Sequence, residues 1–427
     1  MNGEAMSDAP FDIFLAGDAM LVAPWSGAAD DATLRLFDAM RSADVTILNL
    51  ETVIHSFEGY AQADSGGTWM RSPPEIASEL SWAGVDMVAH ANNHAFDYGS
   101  EGILQTVRHA EAAGLVISGS GPDLQRARAP GFVKRSRRTV AHLSMASDFV
   151  PYGRASMSLQ ALPGRPGINP LAIERRPSLT VPRWCARLAE ATDRLLGRNT
   201  DRYAMPHFLK NGMEITVGSG FRYRPGPRVN LADERGNIDA IAGARRQADI
   251  VVVSIHAHRQ GRWLRSFAAR AIDAGADVVV VHGPHEIRGI EVIGGRPVFL
   301  CLGGFAYQPD KVDLVPPEAY ERVGIDYSAS ATAVRDAWPP VARLARRRAT
   351  YEGLAARVRF SGRGPEAVEL LPIDLRYDDP GPDLGSPRWA DIVMGRRLIG
   401  GVAELSRRFG TTIHYDPTAN IGVITLR

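Results

Sequence analysis

Five short apolar runs in the chain each end abruptly at polar residues. They cover residues 11–16, 45–50, 85–89, 250–255 and 277–281, and β-branched or other apolar side chains fill them. Runs this short and this apolar are typical of β-strands that are buried on both faces of a sheet. We therefore predict five core strands, each with polar residues at its carboxyl end.

Segments with helical periodicity lie between these runs. They cover residues 31–41, 74–82, 102–113 and 263–274, and the last two stop at a glycine, as helices commonly do. This alternation of strands and helices predicts an α/β layered fold. In such folds functional side chains gather just beyond the carboxyl ends of the strands, which is where the five polar stops lie.

The segment 151–227 interrupts this rhythm. It is rich in Pro, Gly and Arg, and we predict a helix within it only near residues 183–196. We interpret the segment as an insertion that is either a lid over the site or an inert surface feature. The domain that contains it is predicted to cover residues 1–310.

Residues 311–427 have a different pattern and are predicted to form a C-terminal extension that packs on the core. Mixed loop and helix is expected at 320–345, a strand pair at 358–370, a helix at 389–409 and a closing hairpin at 411–426. The sequence contains neither an internal repeat nor a low-complexity segment.

The composition is that of an ordinary globular protein, with 427 residues, 23% of them charged, and a formal net charge of +1. Such a charge supplies no global field, so we expect no nucleic-acid partner. The N-terminus does not resemble a signal peptide, and no apolar run approaches the ~20 residues of a membrane span. We predict a cytoplasmic protein without a membrane anchor and leave open whether it forms a homo-oligomer. Cys301 is expected to be a buried thiol because it lies in an apolar run.

Six side chains at or near strand ends belong to the types that bind divalent metal ions, namely carboxylates, amide oxygens and imidazoles. They are Asp18, Glu51, Asn93, His256, His282 and His285. Each alone has an ordinary explanation, since an Asp after a strand commonly caps a helix and a buried His commonly fills a core. Together they favour a metal site, with donors that suit Mn²⁺ or Fe at least as well as Zn²⁺.

Several of these residues stand in motifs that resemble one protein family. The motifs are Gly17-Asp18-Ala19-Met20-Leu21, Asn49-Leu50-Glu51, Ala91-Asn92-Asn93-His94-Ala95-Phe96-Asp97-Tyr98-Gly99, Ser254-Ile255-His256 and His282-Gly283-Pro284-His285. They resemble the CapA family of poly-γ-glutamate capsule synthesis proteins, which are similar in fold to calcineurin-like metallophosphoesterases. The resemblance runs from about residue 11 to 310. It implies a four-layer α-β-β-α sandwich of the metallophosphoesterase type, here with an insertion and a C-terminal extension.

The resemblance also implies roles for individual residues. Asp18 corresponds to the first metal-binding Asp, Glu51 to the bridging carboxylate and Asn93 to the Asn ligand. His256, His282 and His285 correspond to the three late His ligands, and His94 to the catalytic His. Met20 departs from the pattern, because metallophosphoesterases have a His at this position. The loss of that imidazole should weaken one of two metal sites, so the centre is expected to hold one or two ions.

The chemistry expected of such a site is hydrolysis by metal-activated water. The bond is either an amide of γ-glutamyl or peptide-like type or a phosphoester, and His94 would protonate the leaving group or brace a ligand. Asp97 either orients His94 or caps the next helix. Arg71 either binds an anionic substrate or forms a surface salt bridge, and His258 is predicted to shape the substrate pocket. His90 is expected to fill the core.

Two further hypotheses remain from other classes of function. One is a non-catalytic factor in capsule biosynthesis that assembles or binds the polymer. The other is a metal-stabilised binding module without turnover. The presence of His94 beside Asn93 speaks against a pure binding module, because ligation alone does not need it.

Overall fold

The computed structural model describes residues 10–27, 29–136, 138–174, 176–211, 213–224, 226–362, 364–379 and 381–426. Its strands are β1 (Phe11–Met20), β2 (Val45–Leu50), β3 (Val53–Ile54), β4 (Arg71–Ser72), β5 (Met87–Ala89), β6 (Val116–Ser118), β7 (Ser120–Gly121), β8 (Gly131–Arg135), β9 (Arg138–Ala146), β10 (Gly167–Ile168), β11 (Ile173–Glu174), β12 (Ser178–Pro182), β13 (His207–Lys210), β14 (Met213–Gly218), β15 (Arg222–Arg224), β16 (Arg228–Val229), β17 (Ile250–His256), β18 (Val278–His282), β19 (Ile290–Ile293), β20 (Arg296–Phe299), β21 (Gly304–Tyr307), β22 (Glu352–Ser361), β23 (Gly364–Asp374), β24 (Arg388–Trp389), β25 (His414–Asp416) and β26 (Ile421–Thr425). Its α-helices are α1 (Asp31–Arg41), α2 (Glu75–Ala83), α3 (Gly99–Ala112), α4 (Leu124–Arg128), α5 (Arg183–Leu195), α6 (Leu231–Arg245), α7 (Arg262–Asp273), α8 (Pro317–Val323), α9 (Ala331–Ala337), α10 (Pro339–Ala345) and α11 (Ile392–Arg407).

Two large sheets dominate the fold. The ten-stranded sheet has the order β25-β26-β23-β22-β1-β2-β5-β6, with β21 paired to β1 and β24 paired to β23. The six-stranded sheet has the order β19-β20-β18-β17-β9-β8. Strands β1, β2, β5 and β6 run parallel to one another, as do β9, β17, β18 and β20. Each sheet therefore has one edge at which the carboxyl ends of several parallel strands meet.

The two sheets share one apolar core. Ile13 and Ile47 of the ten-stranded sheet belong to the same buried cluster as Val252 and Val280 of the six-stranded sheet. Side chains alternate across a strand, so the neighbouring residue Phe14 points to the other face, where it packs with residues of α1 and α2. Helix α7 lies against β18 of the smaller sheet. Burial on both faces explains why these strands read as continuous apolar runs.

The predicted α/β class is confirmed, and most predicted elements are present within a few residues. The segments 31–41 and 45–50 are α1 and β2 with the predicted bounds. The predicted end of the first strand is wrong, because β1 continues from residue 16 to Met20. Residues 18–20 remain in the sheet because they pair with β21, which lies far away in the sequence, and because Asp18 and Ala19 also pair with β2.

The C-terminal residues extend the ten-stranded sheet. Strand β22 pairs antiparallel with β1, from Phe11 opposite Phe360 to Leu15 opposite Ala356. Strands β23, β26 and β25 follow in order, and α11 packs beside them. The predicted strand pair, helix and closing hairpin of this segment are thus present as β22–β23, α11 and β25–β26.

The chain divides into two compact units, one of residues 171–235 and one of the remaining residues. The smaller unit contains a four-stranded sheet of order β13-β14-β12-β15, the short pair β11-β16 and α5. Helix α5 coincides with the helix predicted near residues 183–196. Within the described residues of either unit, no helix combines the length and apolar character needed to cross a bilayer.

Gly17 is predicted to be essential for the join between β1 and β21. A Cβ atom at this position would overlap the carbonyl oxygen of Gly303, the same oxygen that accepts a hydrogen bond from Asp18 N at 3.1 Å. We expect Gly17→Ala to lower the free energy of unfolding by about 1–3 kcal/mol, the usual range for overpacking. Urea denaturation measures this change.

The matched control is Gly400→Ala in α11, where an added Cβ meets no atom within 4 Å. Because glycine is unfavourable inside a helix, this variant should be neutral or more stable by up to ~1 kcal/mol. Equal losses of stability in the two variants would contradict the proposed close approach at Gly17.

Candidate metal centre

Four strands bring candidate ligands to one place. Asp18 lies near the end of β1, and Glu51 follows β2 directly. His256 and His282 are the last residues of β17 and β18, and they stand opposite each other in the parallel register. The ten-stranded and six-stranded sheets meet here, since Asp18 Oδ1 lies 3.2 Å from His282 Nδ1. The predicted convergence of strand-end residues is therefore present in the structure.

The ten-stranded sheet supplies two fully buried carboxylates. Asp18 and Glu51 are both 0% exposed. Asn49 holds them, because its Nδ2 donates to Asp18 Oδ1 at 2.9 Å and to Glu51 Oε2 at 3.3 Å. Asn49 stands in the motif Asn49-Leu50-Glu51, but no role was predicted for it. We regard Asn49 as the residue that orients both carboxylates.

Imidazoles surround these carboxylates from the other side. His285 Nδ1 lies 3.1 Å from Asp18 Oδ2, and its Nε2 lies 3.6 Å from Glu51 Oε1. His256 Nε2 lies 3.7 Å from the same Glu51 oxygen. Glu51 Oε1 therefore faces two different imidazoles.

His258 belongs to this cluster as well. Its Nε2 lies 3.2 Å from His256 Nε2, and its backbone N–H donates to Asp148 Oδ2 at 3.0 Å. Two groups of three residues could each hold a metal ion, namely Asp18–Glu51–His285 and Glu51–His256–His258. In each group, one donor atom from every residue lies within 4.8 Å of the others. The structure places His258 among side chains that could hold a metal ion, and its predicted contact with substrate stays a prediction.

The turn after β18 has an unusual backbone. Gly283 has φ 112°, and a Cβ atom there would lie 3.1 Å from His256 Nε2. His285 also has a positive φ, 51°, which is uncommon for a residue with a side chain. Such conformations cluster at functional sites, where the surrounding structure holds them. Here the turn directs His285 at both carboxylates and lets Gly283 N donate to Asp18 Oδ2 at 3.1 Å.

Asn93, His94 and Asp97 lie in the segment between β5 and α3. Asn93 Nδ2 donates to Gly66 O at 3.2 Å, and its Oδ1 has no hydrogen-bond partner among the described residues. His94 Nδ1 lies 2.8 Å from Asp97 Oδ2, an oxygen that also accepts from Met70 N at 2.8 Å. No side-chain hydrogen bond caps α3. Asp97 therefore orients His94, and the alternative that it caps the helix is not observed.

Electrostatics make the cluster a site for a cation. Burial raises the pKa of Glu51 well above its usual value, and the charges of Asp18 and Asp97 add to this rise. Burial also acts to raise the pKa of Asp18, but the imidazoles of His282 and His285 outweigh it and hold that pKa well below its usual value. Burial, followed by the charge of a neighbouring His, lowers the pKa of His256 well below 6.5 and that of His258 to about 4. Neutral imidazoles with free lone pairs are the form that binds metals.

The donors fit a divalent ion. Glu51 Oε1, Asn93 Oδ1, both ring nitrogens of His282 and Nδ1 of His285 are buried without a hydrogen-bond partner among the described residues. His282 and His285 approach Asp18, yet neither contact has the geometry of a hydrogen bond. Two donors ~2.1 Å from one ion lie roughly 3.0–3.4 Å apart at octahedral or tetrahedral angles. The contacts of Asp18 at 3.1 and 3.2 Å fall in this range, and those of Glu51 at 3.6 and 3.7 Å lie just beyond it.

Two other predicted residues have different surroundings. Arg71 donates to His55 O at 3.1 Å, lies over the Phe57 ring and pairs with Asp313 at 3.6 Å. These contacts correspond to the salt-bridge interpretation of Arg71, and its contact with substrate stays a prediction. His90 is fully buried and bonds to Ser120 Oγ and Thr52 O, as expected of a core residue. Cys301 is a buried free thiol, as predicted.

Comparison with known proteins gives a family match over much of the chain. Residues 12–309 match the family described as bacterial capsule synthesis protein PGA_cap. An uncharacterized protein of Sinorhizobium fredii is 31% identical over 443 aligned residues, which cover 97% of this chain and 93% of that protein.

More distant relatives have descriptive names. A probable polyglutamine synthesis accessory protein of Mycobacterium tuberculosis is 26% identical, over 61% of this chain and 55% of that protein. The PGA biosynthesis protein CapA of Bacillus subtilis is 24% identical, over 62% of this chain and 54% of that protein. A solved structure of a hypothetical protein from Thermus thermophilus aligns with a TM-score of 0.42 and 13% identity, over 85% of this chain and 99% of that chain.

The position of His258 predicts that it contributes to metal binding. We expect His258→Ala to reduce the metal content per chain, or to weaken affinity by roughly 10–100-fold, because it removes one donor of the Glu51–His256–His258 group. Elemental analysis and metal titration measure this effect. The matched control is His109→Ala, a His outside the two groups, which should keep the full metal content.

The buried charge of Glu51 predicts a pH-dependent stability. A folded-state pKa above the unfolded value means that the stabilising contribution is complete below the unfolded pKa and is lost as pH rises through the folded pKa. In EDTA, Glu51→Gln should therefore gain stability relative to wild type between acidic and neutral pH. With metal present the order should reverse, since ligand at 100 times its Kd stabilises the native state by about 2.7 kcal/mol.

Thermal unfolding with EDTA or with Mn²⁺ or Zn²⁺ distinguishes these cases. Glu291→Gln serves as the control, because Glu291 is a buried carboxylate whose Oε1 is paired at 2.7 Å with Arg265. Its effect should not depend on added metal. A Glu51→Gln protein that keeps the whole metal-dependent stabilisation would exclude Glu51 as a ligand.

Proposed function

We propose a function for this chain, which belongs to the bacterial capsule synthesis protein family PGA_cap. We propose that it is a metal-dependent hydrolase acting on an amide bond of γ-glutamyl or peptide-like type, with a phosphoester as the second substrate class. The observation that carries the proposal is a buried donor cluster in which several oxygens and nitrogens lack hydrogen-bond partners among the described residues, together with the oriented His94–Asp97 pair, since the charge of Asp97 acts on Glu51.

The metal ligands in this proposal come from both groups of donors. Asp18, His282 and His285 would hold one ion, and His256 and His258 a second. Glu51 belongs to both groups and would be shared, while the free Oδ1 of Asn93 would complete the set. A bound divalent ion lowers the pKa of a water ligand from 15.7 to about 7 and polarises the oxygen of the group under attack.

His94 supplies the proton in this mechanism. Asp97 accepts from His94 Nδ1 and is itself held by Met70 N and by Ser65 Oγ at 2.7 Å. This arrangement fixes the ring and leaves Nε2 as the atom that can donate a proton to a leaving group.

The surroundings of His94 restrict access to it. The ring is 3% exposed, and Gly67 lies so close that an added Cβ atom would approach Nε2 to 3.3 Å. Gly66 lies closer still to Asn93, since an added Cβ atom there would lie 2.7 Å from Asn93 Nδ2. These two glycines let the chain pass directly over both side chains, which reduces contact with bulk water and strengthens charge interactions in the site.

The substrate class rests on the relatives. Two of them are described as acting in PGA biosynthesis or polyglutamine synthesis. We therefore place the γ-glutamyl amide first among substrates. The phosphoester follows from the proposed likeness to metallophosphoesterases, for which the shared core of two sheets and the helices on their outer faces are the supporting features. The non-catalytic alternative is a polymer-binding factor.

The proposal predicts that ligation and proton transfer can be separated. His94→Ala should keep its metal and lose turnover by about 10²–10⁴-fold, the usual value of general acid–base catalysis. Glu51→Ala should lose metal and turnover together. The loss in His94→Ala should shrink for substrates whose leaving group is a weak base, because such a group needs no proton.

The measurement is metal content and turnover for both variants, with γ-glutamyl anilides and aryl phosphates of differing leaving groups. His109→Ala is the control and should match wild type. A His94→Ala protein with unchanged turnover would remove His94 from the mechanism. Failure of the metal-loaded wild type to cleave either class, combined with binding of poly-γ-glutamate, would favour the polymer-binding factor instead.

A further inference from the structure

Helix α5 in the unit of residues 171–235 exposes a stripe of apolar side chains. Trp184 and Leu188 are each 63% exposed, and Leu195 is 89% exposed. Together with Ala191 they occupy positions i, i+4, i+7 and i+11, so they lie along one side of the helix. We call these four residues the α5 stripe.

The inward side of α5 carries small side chains and one buried carboxylate. Cys185, Ala186 and Ala189 are half-buried. Asp193 is 2% exposed, and it accepts hydrogen bonds from Tyr203 Oη at 2.6 Å and Lys210 Nζ at 2.9 Å. An ordinary surface helix turns its large apolar side chains to the core. Helix α5 instead leaves its largest apolar side chains exposed, so its outward side is suited to contact another apolar surface.

The apolar surface continues beyond the helix. The ring of Phe221 is 66% exposed and meets the Trp184 ring edge-on, with 6.2 Å between ring centroids. Large aromatic side chains of this kind are rarely left exposed next to one another without a function. The surface formed by the α5 stripe and Phe221 therefore indicates an interaction site.

Arginines accompany the α5 stripe. Arg183, Arg187 and Arg194 lie on one flank of it by helical spacing, and Arg194 pairs with Glu190 at 2.7 Å. Arg183 and Arg187 make no hydrogen bond or ion pair with any residue that the structure describes. Residues 171–235 contain twelve Lys and Arg and seven Asp and Glu, a formal charge of +5, although the whole chain carries only +1.

The exposed apolar side chains and the arginines together favour one kind of binding partner. A second copy of the chain would set a like-charged row of arginines against the first, which is unfavourable. A soluble polyanion would satisfy the arginines but would leave Trp184 and Leu195 in water. An anionic lipid surface satisfies both, because phosphates accept from the arginines while the apolar side chains enter the boundary between headgroups and acyl chains.

We propose that α5 and Phe221 dock residues 171–235 on an anionic lipid bilayer surface. The contact is peripheral and reversible, and it is independent of the proposed hydrolase activity. Bound Trp184 would lie in the interface, where indole rings are favoured.

The test is co-sedimentation of the full-length protein with vesicles of phosphatidylcholine, with or without phosphatidylglycerol. Wild type should bind the vesicles that contain phosphatidylglycerol and be released by high salt. Each of Arg183→Glu and Arg187→Glu should weaken binding by at least about fivefold, and Leu188→Ser and Leu195→Ser by about tenfold. Wild-type Trp fluorescence should shift to the blue on binding, and Trp184→Ser should remove the shift.

The controls are Val393→Ser and Arg407→Glu, which change an exposed apolar and an exposed basic residue on α11. Both should bind as wild type does, and circular dichroism should show that every variant is folded. Metal content should be unchanged throughout, which separates this result from the metal centre. The proposal is overturned by absence of vesicle binding, by arginine dependence without dependence on Leu188 and Leu195, or by light scattering that shows a dimer lost in the stripe variants.

Discussion

The confinement of two carboxylates at the junction of the two sheets is the constraint on which the centre depends. Asp18 and Glu51 are fully buried, and the charge of Asp18 helps to raise the pKa of Glu51. Two adjacent buried carboxylates can both remain charged only if a cation lies beside them. Otherwise one of them takes up a proton. The turn with positive φ at His285 and the imidazoles around it place donors that could hold a cation next to these carboxylates. The parallel registers of β1 with β2 and of β17 with β18 bring these groups together.

Local patterns in the sequence predicted the parts of this arrangement that local physics determines. A strand buried on both faces must be apolar throughout, so β2 and β17 can be recognised from their composition alone. The polar residue at its carboxyl end is equally visible, which is why Glu51 and His256 were found. The continuation of β1 through Asp18 was not predicted, because it depends on pairing with both β2 and β21. Pairing between distant segments leaves no periodic signal in either one.

The role of His258 could not be read from spacing for a related reason. Its ring reaches His256 because Asp148 accepts from its backbone and because Gly283 leaves room beside His256. Three separate segments determine that distance. Asn49 is a different case, since its position in the motif was evident while its function of orienting two carboxylates appears only when both acceptors are in place. The motifs pointed to residues that the structure brings together, but they could not show which side chains face one another and which hold others in place.

The charge of the whole chain concealed a different asymmetry. The net charge of +1 supplies no global field. It is the sum of +5 on residues 171–235 and a negative charge on the rest of the chain. Amphipathicity is similarly ambiguous in a sequence, because periodicity locates the apolar side of α5 without showing which side faces inward. The structure shows which side of α5 faces inward, because Asp193 is buried and its carboxylate accepts from three donors. Once that buried polar group directs the helix, Trp184, Leu188 and Leu195 must face outward.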